Sequence, residues 1–152
     1  MREMERTEIV AREAIRDLLA RYTWAGDRGR TGEVADCFLR GGVLDVGEHG
    51  GRWEGREEIA AQLAAVAARV AASGDAPTPV SHHVSSVLIT MTGPTVADVR
   101  SYFCVYTDQG ADHWGSYRDL VSQDPIDGHW RFAERRVRVS GFAPASRFAA
   151  PR

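Results

Sequence analysis

Cysteine is scarce in this chain: Cys37 and Cys104 are the only two among 152 residues. Two isolated thiols make no disulfide framework, and no CxxC pair suggests redox or zinc chemistry. A long apolar run is also missing, because the Ala-rich stretch from Ile59 to Ala72 is interrupted by Gln62 and Arg69. No charge of one sign dominates: 19 Lys and Arg stand against 21 Asp and Glu, a net charge of −2. That balance removes any general attraction for nucleic acid or acidic membranes. The opening residues, Met1-Arg2-Glu3-Met4-Glu5-Arg6, are charged where a secretory signal is apolar. The expectation is a cytoplasmic protein whose partner is a small molecule rather than a nucleic acid or a membrane.

The usual catalytic signatures are absent as well. No GxSxG, GxGxxG or P-loop pattern occurs, which sets aside the common hydrolase, dinucleotide and nucleotide sites. His49, His113 and His129 lie singly, without HExxH spacing, so no metal site is expected. Cys37 falls on a predicted helix with no evident histidine partner, a poor setting for a thiolate nucleophile. What remains is acid–base chemistry built from Asp, His and Tyr, with no cofactor required.

Hydrophobic residues make up 43% of the chain and charged residues 26%, the balance of an ordinary globular protein. We expect one domain over 1–152, with a core at about 7–139 and a tail at 140–152. Thr7 reads as the N-cap of a helix whose stripe is Ile9, Val10, Ala14, Ile15, Leu18, Leu19 and Tyr22. Asp27 to Gly32, with two glycines, ends it. A short helix is predicted from Glu33 to Phe38, stopped by Gly41-Gly42. Val43–Glu48 and Gly51–Glu54 then read as a hairpin. A second long helix follows at Arg56–Ala72, striped by Ile59, Leu63, Val66 and Val70, with a Pro/Gly loop at Ser73–Pro79.

Four alternating strands complete the pattern: Val80–Thr92, Val96–Thr107, Asp112–Ser122 and His129–Val139. Short turns between them imply an antiparallel meander curled around the N-terminal helices. The fold class is therefore α+β, a cone-shaped barrel with a mostly antiparallel curved sheet. Phe142–Arg152 either covers the cavity mouth or frays.

Strand parity sorts the polar candidates. His82, Val84, Ser86 and Leu88 share one face of their strand, and His83, Ser85, Val87 and Ile89 the other, so one histidine at most lines a cavity. Parity alone does not choose between them. Tyr22 and Asp27 close the first helix. Gly115, Tyr117, Asp119 and Val121 share a face, and Arg135 and Arg136 point to opposite faces of the last strand, so at most one of them reaches inward. Outward positions Tyr102, Tyr106, Trp114 and Leu120 would form an apolar patch, from which a homodimer or small homo-oligomer is expected.

The segments Arg21-Tyr22, Ala25-Gly26-Asp27-Arg28-Gly29, Ser81-His82-His83-Val84-Ser85-Ser86, Ala97 to Tyr102, Gly115 to Asp119 and Asp127 to Phe132 occur in an order that resembles the SnoaL-like branch of the nuclear-transport-factor-two-like superfamily. This resemblance implies a cystatin-like cone with a pocket. It implies further that Asp27 and His82 are an acid–base dyad, with His82 rather than His83 turned inward. By the same resemblance Tyr22 and Tyr117 join the catalytic set, and Asp119, Ser86, Ser101, Trp24 and Trp130 bind substrate. The chain departs from the family where it carries Ser101 for a second histidine, Ser86 for an asparagine and Arg30 for an acidic residue. The implied activity is a cofactor-independent dehydratase or isomerase acting on a small polyketide-, steroid- or aromatic-type molecule. The alternatives are a polyketide-type cyclase and a non-catalytic ligand-binding or dimerisation domain.

Overall fold

A computed structural model describes residues 4–72 and 79–149; most of the predicted 73–79 loop lies outside them. Helix α1 (Arg6–Asp27) is followed by α2 (Thr31–Asp36), β1 (Phe38–Gly47), β2 (Gly51–Glu54), α3 (Arg56–Ala72), β3 (Ser81–Gly93), β4 (Val96–Thr107), β5 (Gly110–Gln123) and β6 (Trp130–Phe142). One six-stranded sheet has the order β2-β1-β6-β5-β4-β3. Its pairs are antiparallel except β1 with β6, which run parallel. The expected α+β class, with helices packed in a mostly antiparallel curved sheet, is what the chain adopts.

Helix α1 begins at Arg6 behind Glu5, without a side-chain cap, so Thr7 lies in the first turn instead of capping it. Ile9 and Val10 stay exposed, and the packed stripe is Ala11, Ile15, Leu18, Leu19 and Ala25. The end of α1 is better defined. Arg30 N–H bonds to Ala25 O at 2.9 Å and Gly29 N–H to Gly26 O at 3.0 Å, with Gly29 at φ 67°. These two bonds and the left-handed glycine form a Schellman stop, which leaves Asp27 in the last helical turn.

Phe38 starts β1 instead of ending α2, and Gly41-Gly42 sit within that strand, where its pairing with β6 slips between Phe38 and Val43. A Cβ on Gly42 would lie 2.8 Å from the Phe132 carbonyl, so close packing against β6, and not helix termination, explains this glycine. Helix α3 spans the predicted residues. Of its stripe only Ile59 is fully buried; Leu63, Val66 and Val70 are half-buried because they face a cavity.

The inner face of the sheet follows parity until it meets a bulge. On β4 the inward residues are Ala97, Val99, Ser101, Phe103 and Val105, all buried. On β3 the pairing with β4 slips between Ser85 and Leu88, and Ser86 takes a left-handed backbone at φ 52°. The slip reverses parity, so Val87, Ile89 and Met91 turn inward while Ser86 and Leu88 face solvent. Ser86 is the single non-glycine residue with positive φ among those described.

A left-handed serine costs on the order of 1 kcal/mol relative to a residue suited to that region. Ser86→Asn should leave stability unchanged or raise it by up to ~1 kcal/mol, and Ser86→Val should lower it by about 1–2 kcal/mol. Urea unfolding of the two variants beside the parent measures both.

Candidate active site

The last turn of α1 and the first residues of β3 meet at one point. Asp27 Oδ1 lies 2.5 Å from His82 Nδ1, and the Asp27 carboxylate also accepts the His82 backbone N–H at 3.1 and 3.3 Å. One carboxylate thus grips both the ring and the backbone of the same histidine, which sets the ring's orientation and turns Nε2 away from Asp27. His83 points to the outer face, where its ring lies 4.7 Å from that of Tyr106 and Nε2 bonds to Ser81 Oγ.

Asp27 and His82 open onto a cavity of about 480 Å³, together with Tyr22. Its walls are apolar: Val34 from α2, Leu63, Val66 and Val70 from α3, Val80 ahead of β3, and Val105 from β4. Arg147 and Phe148 of the C-terminal segment complete the lining, so residues 143–149 fold back over the cavity, while 150–152 lie outside the described residues. Thr23, Arg30, Thr31 and His113 add polar groups to this wall, and a pocket of this size and mixed lining suits a small, mostly apolar molecule with a few polar substituents.

Behind Tyr22 sits a charge that the sequence did not single out. Arg135, with 0% exposure, makes two bonds to Asp119, Nε to Oδ1 at 2.9 Å and Nη2 to Oδ2 at 2.8 Å. Its guanidinium lies 4.2 Å from the Tyr22 ring centroid, 4.0 Å from Tyr117 and 4.2 Å from Phe132. Burial pushes the Tyr22 and Tyr117 hydroxyls above the ordinary tyrosine range against the pull of this cation, so both stay protonated at neutral pH. Burial likewise raises the Asp119 carboxyl, and Arg135 opposes that rise. Burial acts to lower the Arg135 pKa, but Asp119 and the two tyrosines outweigh it, and the guanidinium stays charged. The only hint in the sequence was the Arg135-Arg136 doublet, of which Arg135 turns inward and Arg136 is exposed.

Several expected site residues stand elsewhere. Tyr117 is 3% exposed and stacks on Phe103 at 4.6 Å, covered by Arg135, so it does not line the cavity. Asp119 faces inward as parity required, but Arg135 occupies it. Ser101 is 3% exposed with its hydroxyl unpaired, also off the lining. Trp24 is 60% exposed beneath Arg28, in a separate surface depression with Arg21, because it falls on the outer side of α1. Trp130 is packed in the main hydrophobic core. Ser86 is turned out by the bulge. Among the described residues no group of three or more His, Cys, Asp or Glu could hold a metal ion, and no helix is long and apolar enough to cross a membrane.

The Arg135–Asp119 pair is fully desolvated, so removing one partner strands the other's charge. Arg135→Ala should cost about 3–5 kcal/mol, while the double change Arg135→Met, Asp119→Leu should cost far less. Thermal and denaturant unfolding of the single and double variants gives the comparison.

Known proteins place this geometry in context. A family model described as a SnoaL-like domain matches residues 7–136. Among solved structures, a function-unknown protein of Mycobacterium tuberculosis is 26% identical, covering 88% of this chain and 73% of that one, with a TM-score of 0.72. A putative scytalone dehydratase from Novosphingobium aromaticivorans is 23% identical over 92% and 91% of the two chains, TM-score 0.75. A hexachlorocyclohexane dehydrochlorinase from Novosphingobium barchaimii is 16% identical over 95% and 98%, TM-score 0.74. No curated protein matches. With the family model spanning most of the chain, this protein belongs to the SnoaL-like family.

Proposed function

We propose that the protein is a cofactor-independent acid–base enzyme that removes a proton, and with it a leaving group, from a small apolar molecule. The observation that carries this reading is the 2.5 Å contact of Asp27 with His82 at the wall of an apolar cavity. Because Asp27 takes Nδ1, the Nε2 lone pair is the base. It accepts a proton from a carbon made acidic by a neighbouring electron-withdrawing group. The C–H electron pair forms the new double bond, and the leaving group departs with its own bonding pair. The imidazolium that results is stabilised by the Asp27 carboxylate.

Tyr22 stays protonated and lines the same cavity, so its hydroxyl supplies a hydrogen bond to oxygen on which charge builds. Arg135, against the back of its ring, opposes the effect of burial and keeps that hydroxyl a good donor. Tyr117 and Asp119 contribute from behind, through Arg135. Two of the similar structures are a putative scytalone dehydratase and a dehydrochlorinase, names that denote eliminations, which supports elimination over cyclisation here. Isomerisation uses the same first step, with the proton returned to another carbon.

We also propose that the outer sheet face pairs with a second copy of the chain. Tyr102, Tyr106, Trp114 and Leu120 are exposed there by 63%, 41%, 40% and 38%. Sedimentation at micromolar concentration should give a multiple of the 16.7 kDa chain mass; a monomer rejects the pairing.

Turnover can be sought with cyclic hydroxy-ketones and halogenated rings, following loss of water or halide. His82→Ala should lower kcat by about 100- to 10,000-fold, and Asp27→Asn by a comparable factor, since an amide does not stabilise imidazolium. Tyr22→Phe should cost about 10- to 1,000-fold. If His82→Ala and Asp27→Asn both keep parental turnover, the dyad is not the catalyst, and a cyclase acting by shape or a binding domain takes its place.

A further inference from the structure

The cavity holds a second imidazole for which the elimination step has no use. His113 lies at the start of β5, opposite Val105 of β4, and lines the same cavity as His82. Neighbouring residues of a strand ordinarily face opposite ways. Here His113 pairs with Val105 but Ala111 pairs with Tyr106, so Asp112 is an extra, bulged residue. The bulge allows Asp112, 5% exposed, to be buried next to His113. Asp112 Oδ2 is 2.8 Å from His113 Nδ1.

The same carboxylate anchors the C-terminal segment. It accepts the Ser146 hydroxyl at 2.6 Å and the Arg147 backbone N–H at 3.4 Å, while the Asp112 carbonyl accepts the Ala143 N–H at 2.7 Å. Phe148, carried by that segment, lies 5.1 Å from the His113 ring, and Phe142 stacks on it at 5.6 Å. One acidic group therefore seats both the imidazole and the segment that brings Phe148 to the cavity.

An ionised carboxylate only accepts, so the proton of the neutral imidazole sits on Nδ1 and Nε2 carries a lone pair. Burial lowers the His113 pKa, Asp112 opposes this, and charge on His82 lowers it further. His113 thus stays neutral at pH 7, and more so while His82 holds a proton. Among the described residues Nε2 has no hydrogen-bond partner, although the ring is enclosed by Phe103, Phe142 and Phe148.

We propose that His113 Nε2 is a hydroxyl-recognition subsite: it accepts a hydrogen bond from an alcohol or phenol of the substrate, apart from the atoms on which His82 acts. The substrate class is thereby narrowed to ring compounds that carry a free hydroxyl besides the reacting centre. This rests on the cavity being the substrate site, not on which reaction takes place there.

The test compares 2-naphthol with 2-methylnaphthalene, a pair of nearly equal shape that differs in one donor. Binding is measured by titration in the His82→Ala protein, where the first imidazole cannot serve as acceptor. The hydroxyl compound should bind about tenfold more tightly, the effect of one hydrogen bond in an enclosed site. Adding His113→Phe, which keeps an aromatic ring among Phe103, Phe142 and Phe148, should bring the ratio to about one while methylnaphthalene still binds. In the unaltered protein, long-range proton–nitrogen spectra should show the His113 Nε2 signal moving with naphthol and not with the methyl compound. That measurement decides the matter if the double variant does not fold. Equal affinities in His82→Ala, a preference that survives His113→Phe, or a stationary Nε2 signal overturns the subsite alone. If neither compound binds any of the proteins, the cavity reading fails with it.

Discussion

The buried pair of Arg135 and Asp119 is the constraint on which the rest of the structure depends. Both side chains are completely removed from solvent, and they join β5 to β6 at the middle of the sheet. Charges so placed are stable only with full mutual satisfaction, and the bidentate geometry supplies most of it. The flat guanidinium then packs against rings from three elements: Tyr22 of α1, Tyr117 of β5 and Phe132 of β6. Tyr22 also meets Phe38 and Phe132 edge-on. Beside the apolar stripe of Ile15, Leu18 and Leu19, this cation and its aromatic neighbours hold the end of α1 to the sheet, and that end is where Asp27 begins the site.

From that anchor the chemistry follows by short steps. The Schellman stop at Gly29 ends α1 just beyond Asp27, and β3 starts one residue before His82. The two meet because α1 is held against the sheet whose edge strand is β3. Helices α2 and α3, which pack together across the β1–β2 hairpin, add the apolar wall, and the C-terminal segment adds the cover. None of these parts needs a long-range charge field. The site's electrostatics are local: two carboxylates on two imidazoles, one guanidinium behind a tyrosine, and Arg30 and Arg147 on the cavity lining.

Irregularities in the strands carry as much of the design as the regular ladder. The slip at Ser86 turns the second half of β3 over, so that apolar residues still face the core after His82 has faced the cavity and Val84 has packed against Phe103, Val105 and Tyr117. The bulge at Asp112 buries a carboxylate beside its own neighbouring histidine. At Gly115, a Cβ would lie 2.0 Å from the Arg138 carbonyl, where β5 and β6 change register. The slips at Ser86 and Asp112 each come from a single extra residue, and each moves a polar group onto or off the concave side.

The sequence by itself determined the elements, their order and the fold class, and the meeting of α1 with β3 entered only through the family resemblance. Period-3.6 stripes, period-two alternation and glycine turns are local signals, and they suffice for α3, β4 and the meander. The family pattern added which of His82 and His83 turns inward. What only the tertiary structure decided was everything that depends on contacts between distant segments. The parallel pairing of β1 with β6 joins residues about ninety positions apart, and no local pattern encodes it. Ser86 was expected in the cavity, and Asp112 beside His113 was not foreseen, because a bulge cancels the parity on which such a reading rests. Trp24 and Trp130 resemble cavity aromatics in sequence, yet one lies on the outer side of a helix and the other in the core. Strand parity left open which of Arg135 and Arg136 turns inward. Arg135 became the centre of the molecule because Asp119, sixteen residues earlier, lies opposite it across a ladder that exists only once the sheet has formed.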